Sequence, residues 1–331
     1  KLKKIKSIVL GVLLIVSILA IVNPVSAATL EVGPGKTYAT INAAIGAAGN
    51  GDTILVYPGT YTENITINKS LTLQGVDKDA TIVKPSASAD EWITINASNV
   101  HLKNLTFDGS GYNIGRAITT RGGSGSVTSC VIKNIKQNQY IGIGIRVWHE
   151  TSGQRWTISG NKFQNIERIG IYVGGQDNIA TISNNILEGN GEGNWLQYGV
   201  EVGRSGQANI ENNHISKYQS DESGWESAGI LVTAAYGPKS TAYIMGNTVV
   251  KNKYGVYIGY VSKDKLTDDS IVTLKCNTIF DNTYNIKKVG GATVNELPCL
   301  NELPMNKFVS IFKKNFEKNH GKSENSNNIE N

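Results

Sequence analysis

Gly144-Ile-Arg-Val147, Gly170-Ile-Tyr-Val173, Gly199-Val-Glu-Val202, Gly229-Ile-Leu-Val232 and Gly255-Val-Tyr-Ile258 are five renderings of one phrase, with successive glycines 26, 29, 30 and 26 residues apart. A second phrase interleaves with it, an asparagine two residues before an apolar one. Its copies are Asn161/Phe163, Asn185/Leu187, Asn213/Ile215, Asn247/Val249 and Asn277/Ile279, at steps of 24, 28, 34 and 30. Looser copies precede these at Leu102–Phe107 with Ala117–Thr120, and at Cys130–Ile132.

Strands of three to five alternating residues cannot stand alone and must stack on the next copy. Constant strand cores with variable spacing mean one coil per repeat and variable loops. The pattern therefore predicts an all-β, single-stranded parallel β-helix of about eight coils, each strand pairing with its counterpart about 4.8 Å further on. Alternation places Ile145, Val147, Ile171, Val173, Val200, Val202, Ile230, Val232, Val256 and Ile258 inside. The asparagines suit corners that need φ > 0, and their side chains can bond from coil to coil. A propeller or sandwich would need tight Asn-Gly hairpins, which are nearly absent between these strands.

A solenoid needs end covers. Tyr38–Ala48 reads as a short cap helix with Thr37 as N-cap and Ile41, Ala44, Ile45 and Ala48 on one face. The stretch from Val32 through Lys36-TYATINAAIGAAGNGDTILVYPGTYTENITINKSLTLQG to Gly75 resembles the N-terminal cap and first coils of the pectin-lyase-like right-handed parallel β-helix superfamily. The later Tyr-Gly-Val and Gly-Asn-Thr copies look like its generic repeats, so the resemblance spans roughly residues 32–290. It implies a right-handed β-helix over residues 28–292 and is specific for fold, not function.

Residues 1–27 carry four lysines and no acid, then the uncharged run Ile8–Val22 and Val25-Ser26-Ala27. These are the regions of a secretory signal peptide, or of an uncleaved anchor. The expected location is secreted or at the cell surface. Four Asn-X-Ser/Thr sequences, at Asn64, Asn68, Asn96 and Asn104, fit export. Beyond the leader, 28 basic residues face 27 acidic ones, so no basic field for nucleic acid remains. Residues 293–331 change character: Phe308, Ile311, Phe312 and Phe316 give a cap helix over 306–319, or an amphipathic membrane contact, before a disordered end. Cys130 and Cys276 fall about five coils, roughly 24 Å, apart and cannot pair. Both are expected to stack as small hydrophobes, with Cys299 free to pair between chains.

Ligands of such a coil lie along an outer face. The outward row of the first phrase is Thr119, Arg146, Tyr172, Glu201, Leu231 and Tyr257, and the next position brings Arg121 and Trp148. The loops entering these strands add Tyr112, Tyr140, Trp195 and Trp225, and the exits add His149, Glu150, Arg204 and Tyr236. Rings stack on pyranose faces, and charges bind hydroxyls and carboxylates. Arg121, Trp148, Tyr172, Trp195, Trp225 and Tyr257 are thus the expected contacts to a polysaccharide or cell-envelope glycan. Two functions stand open: a non-catalytic or structural glycan-binding surface protein, or a lyase or glycoside hydrolase using Arg146, Glu201 and Arg204. The superfamily's polyuronate lyases abstract a proton beside a carboxylate with Arg or Lys, commonly with Ca²⁺ in an acidic cluster. Ca²⁺ is expected only in that case, and no adjacent acidic cluster shows on this row. His149-Glu150, His101 and His214 fall on separate coils, so no metal site is expected, and scattered His with scarce Met disfavours a metal-handling periplasmic protein.

Overall fold

The computed structural model describes residues 27–299 except 139–140, 151–152, 194–195, 221–225 and 261–266. The leader, the Phe-rich 306–319 segment, Tyr140, Trp195 and Trp225 lie outside the described residues.

Among the described residues, successive coils feed three parallel sheets of 11, 9 and 9 strands, so that after the first pair strands three apart in sequence are neighbours in space. The superhelix runs to about 9 turns rather than eight. It continues past the boundary expected at residue 292, because Thr293–Leu297 pairs in parallel with Ile271–Lys275. Val294 there keeps the inward alternation and packs on the core. The ten predicted inward residues are all fully buried and form one continuous apolar shaft. Each contributes about 1.5–3 kcal/mol by leaving water.

The glycine that opens each phrase is set by close approach between coils. A Cβ on Gly170 would lie 2.6 Å from the Gly199 carbonyl oxygen, and one on Gly199 would lie 2.5 Å from that of Gly229 and 2.7 Å from Ile215. The space also admits Phe163 beneath Gly144 and Tyr218 beneath Gly170 and Gly199. Gly199→Ala is therefore expected to lower stability by about 2 kcal/mol through overpacking, read as a lower urea midpoint at unchanged slope.

The asparagine phrase forms a buried ladder. Asn161 Nδ2 donates to Asn185 Oδ1 at 3.0 Å, Asn185 to Asn213 at 2.9 Å, Asn213 to Asn247 at 2.9 Å and Asn247 to Asn277 at 3.0 Å. Each amide also donates to a backbone carbonyl of the coil below. The left-handed residue is the one before each ladder asparagine: Gly160, Asn184, Asn212, Gly246 and Cys276, with φ between 52° and 67°. The ladder asparagine itself is thereby free to point inward. Cys130 occupies the ladder position on the coil below Asn161, whose Oδ1 accepts from the Cys130 N–H. Burial pushes the Cys130 thiol up to about 12. Cys276 does not stack as a hydrophobe. It takes the exposed left-handed corner and bonds Cys299 within the same chain, not between chains. The pairing is possible because the chain returns past that corner after Thr293–Leu297.

The cap helix is shorter than predicted, Ile41–Ala47, with Thr40 rather than Thr37 as N-cap. Tyr38 is held extended by its bridge to Val32, so the helix cannot start earlier. The Glu63 carboxylate accepts from the Ile41 and Asn42 N–H groups, and Lys69 Nζ donates to the carbonyls of Ile45, Gly46 and Ala48. Opposite charges thus sit at the two ends of the helix dipole.

Candidate functional site

The outward row assembles in the predicted register: Thr119, Arg146, Tyr172, Glu201, Leu231 and Tyr257 pair coil by coil, and Lys287 extends them. Beside it, Trp148 pairs with Gly174 and Gly174 with Gly203. Those glycines leave a recess into which the Tyr172 ring folds, its hydroxyl lying over Gly174.

Trp148 and Tyr236 wall a cleft of about 200 Å³ over Tyr172 and Glu201. Arg116, Arg146, Arg168 and Arg204 all line it. The Arg204 guanidinium lies 5.2 Å from the Trp148 ring centroid and 5.8 Å from that of Tyr236, and Arg146 lies 5.0 Å from Trp148. These stacked contacts hold the cations in place without neutralising them. Part of the charge is countered at the rim: Glu91 pairs with Arg121 at 2.7 Å and with Arg146 at 3.4 Å, and Asp90 pairs with Arg116.

Glu201 is 8% exposed, and its Oε2 has no hydrogen-bond partner. Burial pushes its carboxyl up to about 7 despite the opposing pull of Arg168 and Arg204. Burial also brings Arg146 down to about 10, helped by the neighbouring Arg116 cation. The cleft thus joins fixed guanidiniums, one carboxyl poised near neutrality and two aromatic walls.

Of the expected residues, Arg146, Trp148, Tyr172, Glu201 and Arg204 converge here. Arg121 lies on the other side of Trp148, in a hollow of about 330 Å³ shared with His149 and Glu150. Tyr257 does not offer its face to a ligand. It is 3% exposed, donates to Glu226 and lies under Lys287, because its ring is drawn onto the outer apolar patch of Tyr198, Leu231 and Tyr254. Tyr112 lines a separate hollow with Ser110, Asn113 and Lys136.

Arg116 and Arg168 escaped the sequence reading. Arg116 sits in register with Ile143 and Ile169, at the position before the phrase glycine. In that column Arg116 stacks on Glu91 before the apolar Ile143 and Ile169 follow, and this charged pair in register was the available signal. Arg168 is a loop residue, and no periodicity marks it.

The family model described as periplasmic copper-binding protein (NosD) matches residues 46–297. This chain belongs to the NosD family. A cell surface glycoprotein of Methanothermus fervidus is 35% identical to this NosD-family chain over 109 residues, 32% of this chain and 17% of that relative. The chain thus spans less than a fifth of its curated relative. Among solved structures, carrot pectin methylesterase aligns at TM-score 0.52 and 13% identity over 85% of this chain and 90% of its own. A pectate lyase aligns at 0.53 and 14% over 81% and 79%, and the pectin methylesterase of Aspergillus niger at 0.51 and 14% over 83% and 86%. The right-handed pectin-lyase-like β-helix is thereby shown.

The copper named in the family description calls for converging His, Cys or Met. Here His101 bonds Ser126 on one sheet, His214 stands on another, and Cys130 is sealed in the core. Among the described residues no three His, Cys, Asp or Glu side chains come together. The described residues do not fit a copper centre.

Proposed function

We propose that this chain is an exported cell-surface β-helix protein that binds an acidic polysaccharide in the arginine cleft, without cleaving it. The observation that carries this reading is the convergence of four guanidiniums between Trp148 and Tyr236, above a buried carboxyl with an unpartnered oxygen. Guanidiniums clamp uronate carboxylates in bidentate fashion, and the rings stack on sugar faces. Protonated Glu201 supplies a donor to a hydroxyl. The surface location is supported by the leader and by the name of the Methanothermus relative.

A polyuronate lyase is the second reading, favoured by Arg146 brought down to about 10 in the same cleft as Glu201. At pH 7 that value leaves about one Arg146 in a thousand neutral and able to take a proton. The reading stands second because among the described residues no acidic cluster stands there to hold the Ca²⁺ that such lyases commonly use. A two-carboxylate hydrolase needs its groups about 5–9 Å apart. Glu201 is the carboxylate of the cleft among the described residues, and Glu226 is held by Tyr257 and Lys287.

Affinity electrophoresis through polygalacturonate, alginate and neutral dextran tests this. Retardation is expected in the two acidic gels alone, and Arg146→Ala and Trp148→Ala should each weaken it at least ~10-fold, the effect of one lost charge-assisted contact or ring stack. Equal retardation in dextran, or none in the acidic gels, sinks the binding reading. Unsaturated-uronate absorbance in the same incubations would establish the lyase instead.

A further inference from the structure

We propose that Asn68 and Asn96 carry N-linked glycans, whereas Asn64 and Asn104, which share the Asn-X-Ser/Thr pattern, do not. All four fall within residues 64–104, yet the fold separates them into two kinds.

Asn104 is committed to the fold. It sits in the left-handed region at φ 55°, and its Nδ2 donates to the Gly75 and Val76 carbonyls at 2.8 and 3.0 Å. Leu105 is core, and the Thr106 hydroxyl is buried, donating to the Lys78 carbonyl. A sugar on this nitrogen would displace both backbone bonds, and the hydroxyl of the triplet is out of reach. Asn64 is similarly tied. Its Oδ1 accepts from the Ser86 N–H at 3.0 Å, its Nδ2 donates to the Ala87 carbonyl, and Ile65 is buried.

Asn68 and Asn96 differ at the asparagine itself and in burial, although the half-buried Ser70 hydroxyl of the first triplet also donates to a carbonyl, that of Ser98. Both are exposed, both lie in loop just after a strand, and neither has a positive φ. Their side chains make no bond to the backbone. Asn96 Nδ2 donates to Asn68 Oδ1 at 2.7 Å on the open surface, and Asn68 Nδ2 donates to nothing among the described residues. The triplets Asn68-Lys-Ser70 and Asn96-Ala-Ser98 contain no fully buried residue, Ala97 only resting half-buried against the core. The two asparagines occupy the same corner of consecutive coils, since the Asn96 N–H bonds Ile67 and the Arg121 N–H bonds Ile95. A glycan on Asn96 therefore stands one coil, about 4.8 Å, from Arg121 in the hollow beside the cleft.

Attachment joins Nδ2 to the anomeric carbon of an oligosaccharide carried on a polyprenyl phosphate. The bond from that carbon to the phosphate oxygen breaks, and the amide proton leaves with the lipid phosphate.

Glycopeptide mass spectrometry on the protein isolated from its own cells tests the assignment. Sugar is expected on Asn68 and Asn96, with Asn64 and Asn104 bare. N68Q/N96Q should lose the whole added mass and keep an unchanged thermal midpoint, because neither side chain holds the fold. Bare Asn68 or Asn96, or sugar on Asn64 or Asn104, overturns the proposal. These outcomes are independent of whether the cleft binds polysaccharide.

Discussion

Asn213→Leu lowers the unfolding free energy by about 4 kcal/mol, measured as a fall in urea midpoint. The Asn213 side chain accepts from the Asn185 N–H and Asn185 Nδ2, each at 2.9 Å, and donates to Ile182 O and Asn247 Oδ1. Leucine leaves two buried donors of Asn185 unbonded, at about 2 kcal/mol each. Asn247 Oδ1 is spared, because the Asn213 backbone N–H still reaches it. The same change at Asn277, the half-buried end of the ladder, should cost only about 1 kcal/mol, since water replaces the lost partners. Equal losses at both positions would mean that the ladder is not what holds the corner.

Glu201→Gln is expected to stabilise the protein in alkali. Burial raises the Glu201 carboxyl from 4.5 to about 7, so the folded chain holds this proton more tightly than the unfolded chain does. The contribution is fully present below about pH 4.5 and is lost as pH rises through 7, a difference of about 3 kcal/mol. Glutamine is neutral throughout. E201Q should therefore exceed the parent by about 3 kcal/mol at pH 8 and by about 1 kcal/mol or less at pH 5. If Glu201 served instead as an essential counter-ion to Arg168 and Arg204, E201Q would be the less stable chain at pH 8. The binding reading adds a second readout. Removing a negative charge from the cleft should tighten polygalacturonate binding at pH 8 and leave it unchanged at pH 5.

Much of this molecule is legible before folding. Every coil repeats the same short problem, and repetition makes its solution visible. Ile145, Val147 and their counterparts must alternate inward because a strand has period two. The asparagines recur because a corner between stacked strands has buried backbone groups to satisfy. The register that aligns Arg146, Tyr172 and Glu201 follows from counting residues along a periodic chain, and it held without a slip.

The sequence by itself thus determined the coil, its apolar shaft and the row of side chains facing out. Tertiary structure decided what that row became. Arg168 and Tyr236 reach the cleft from loops, whose course obeys no period, and Tyr257 lost its place because its ring packed against other aromatics. The pairing of Cys276 with Cys299 and the division among the four Asn-X-Ser/Thr sites were settled the same way. Periodicity fixes directions within a coil. Which side chains meet across the surface depends on loop paths and burial, and those exist only once the coils have stacked.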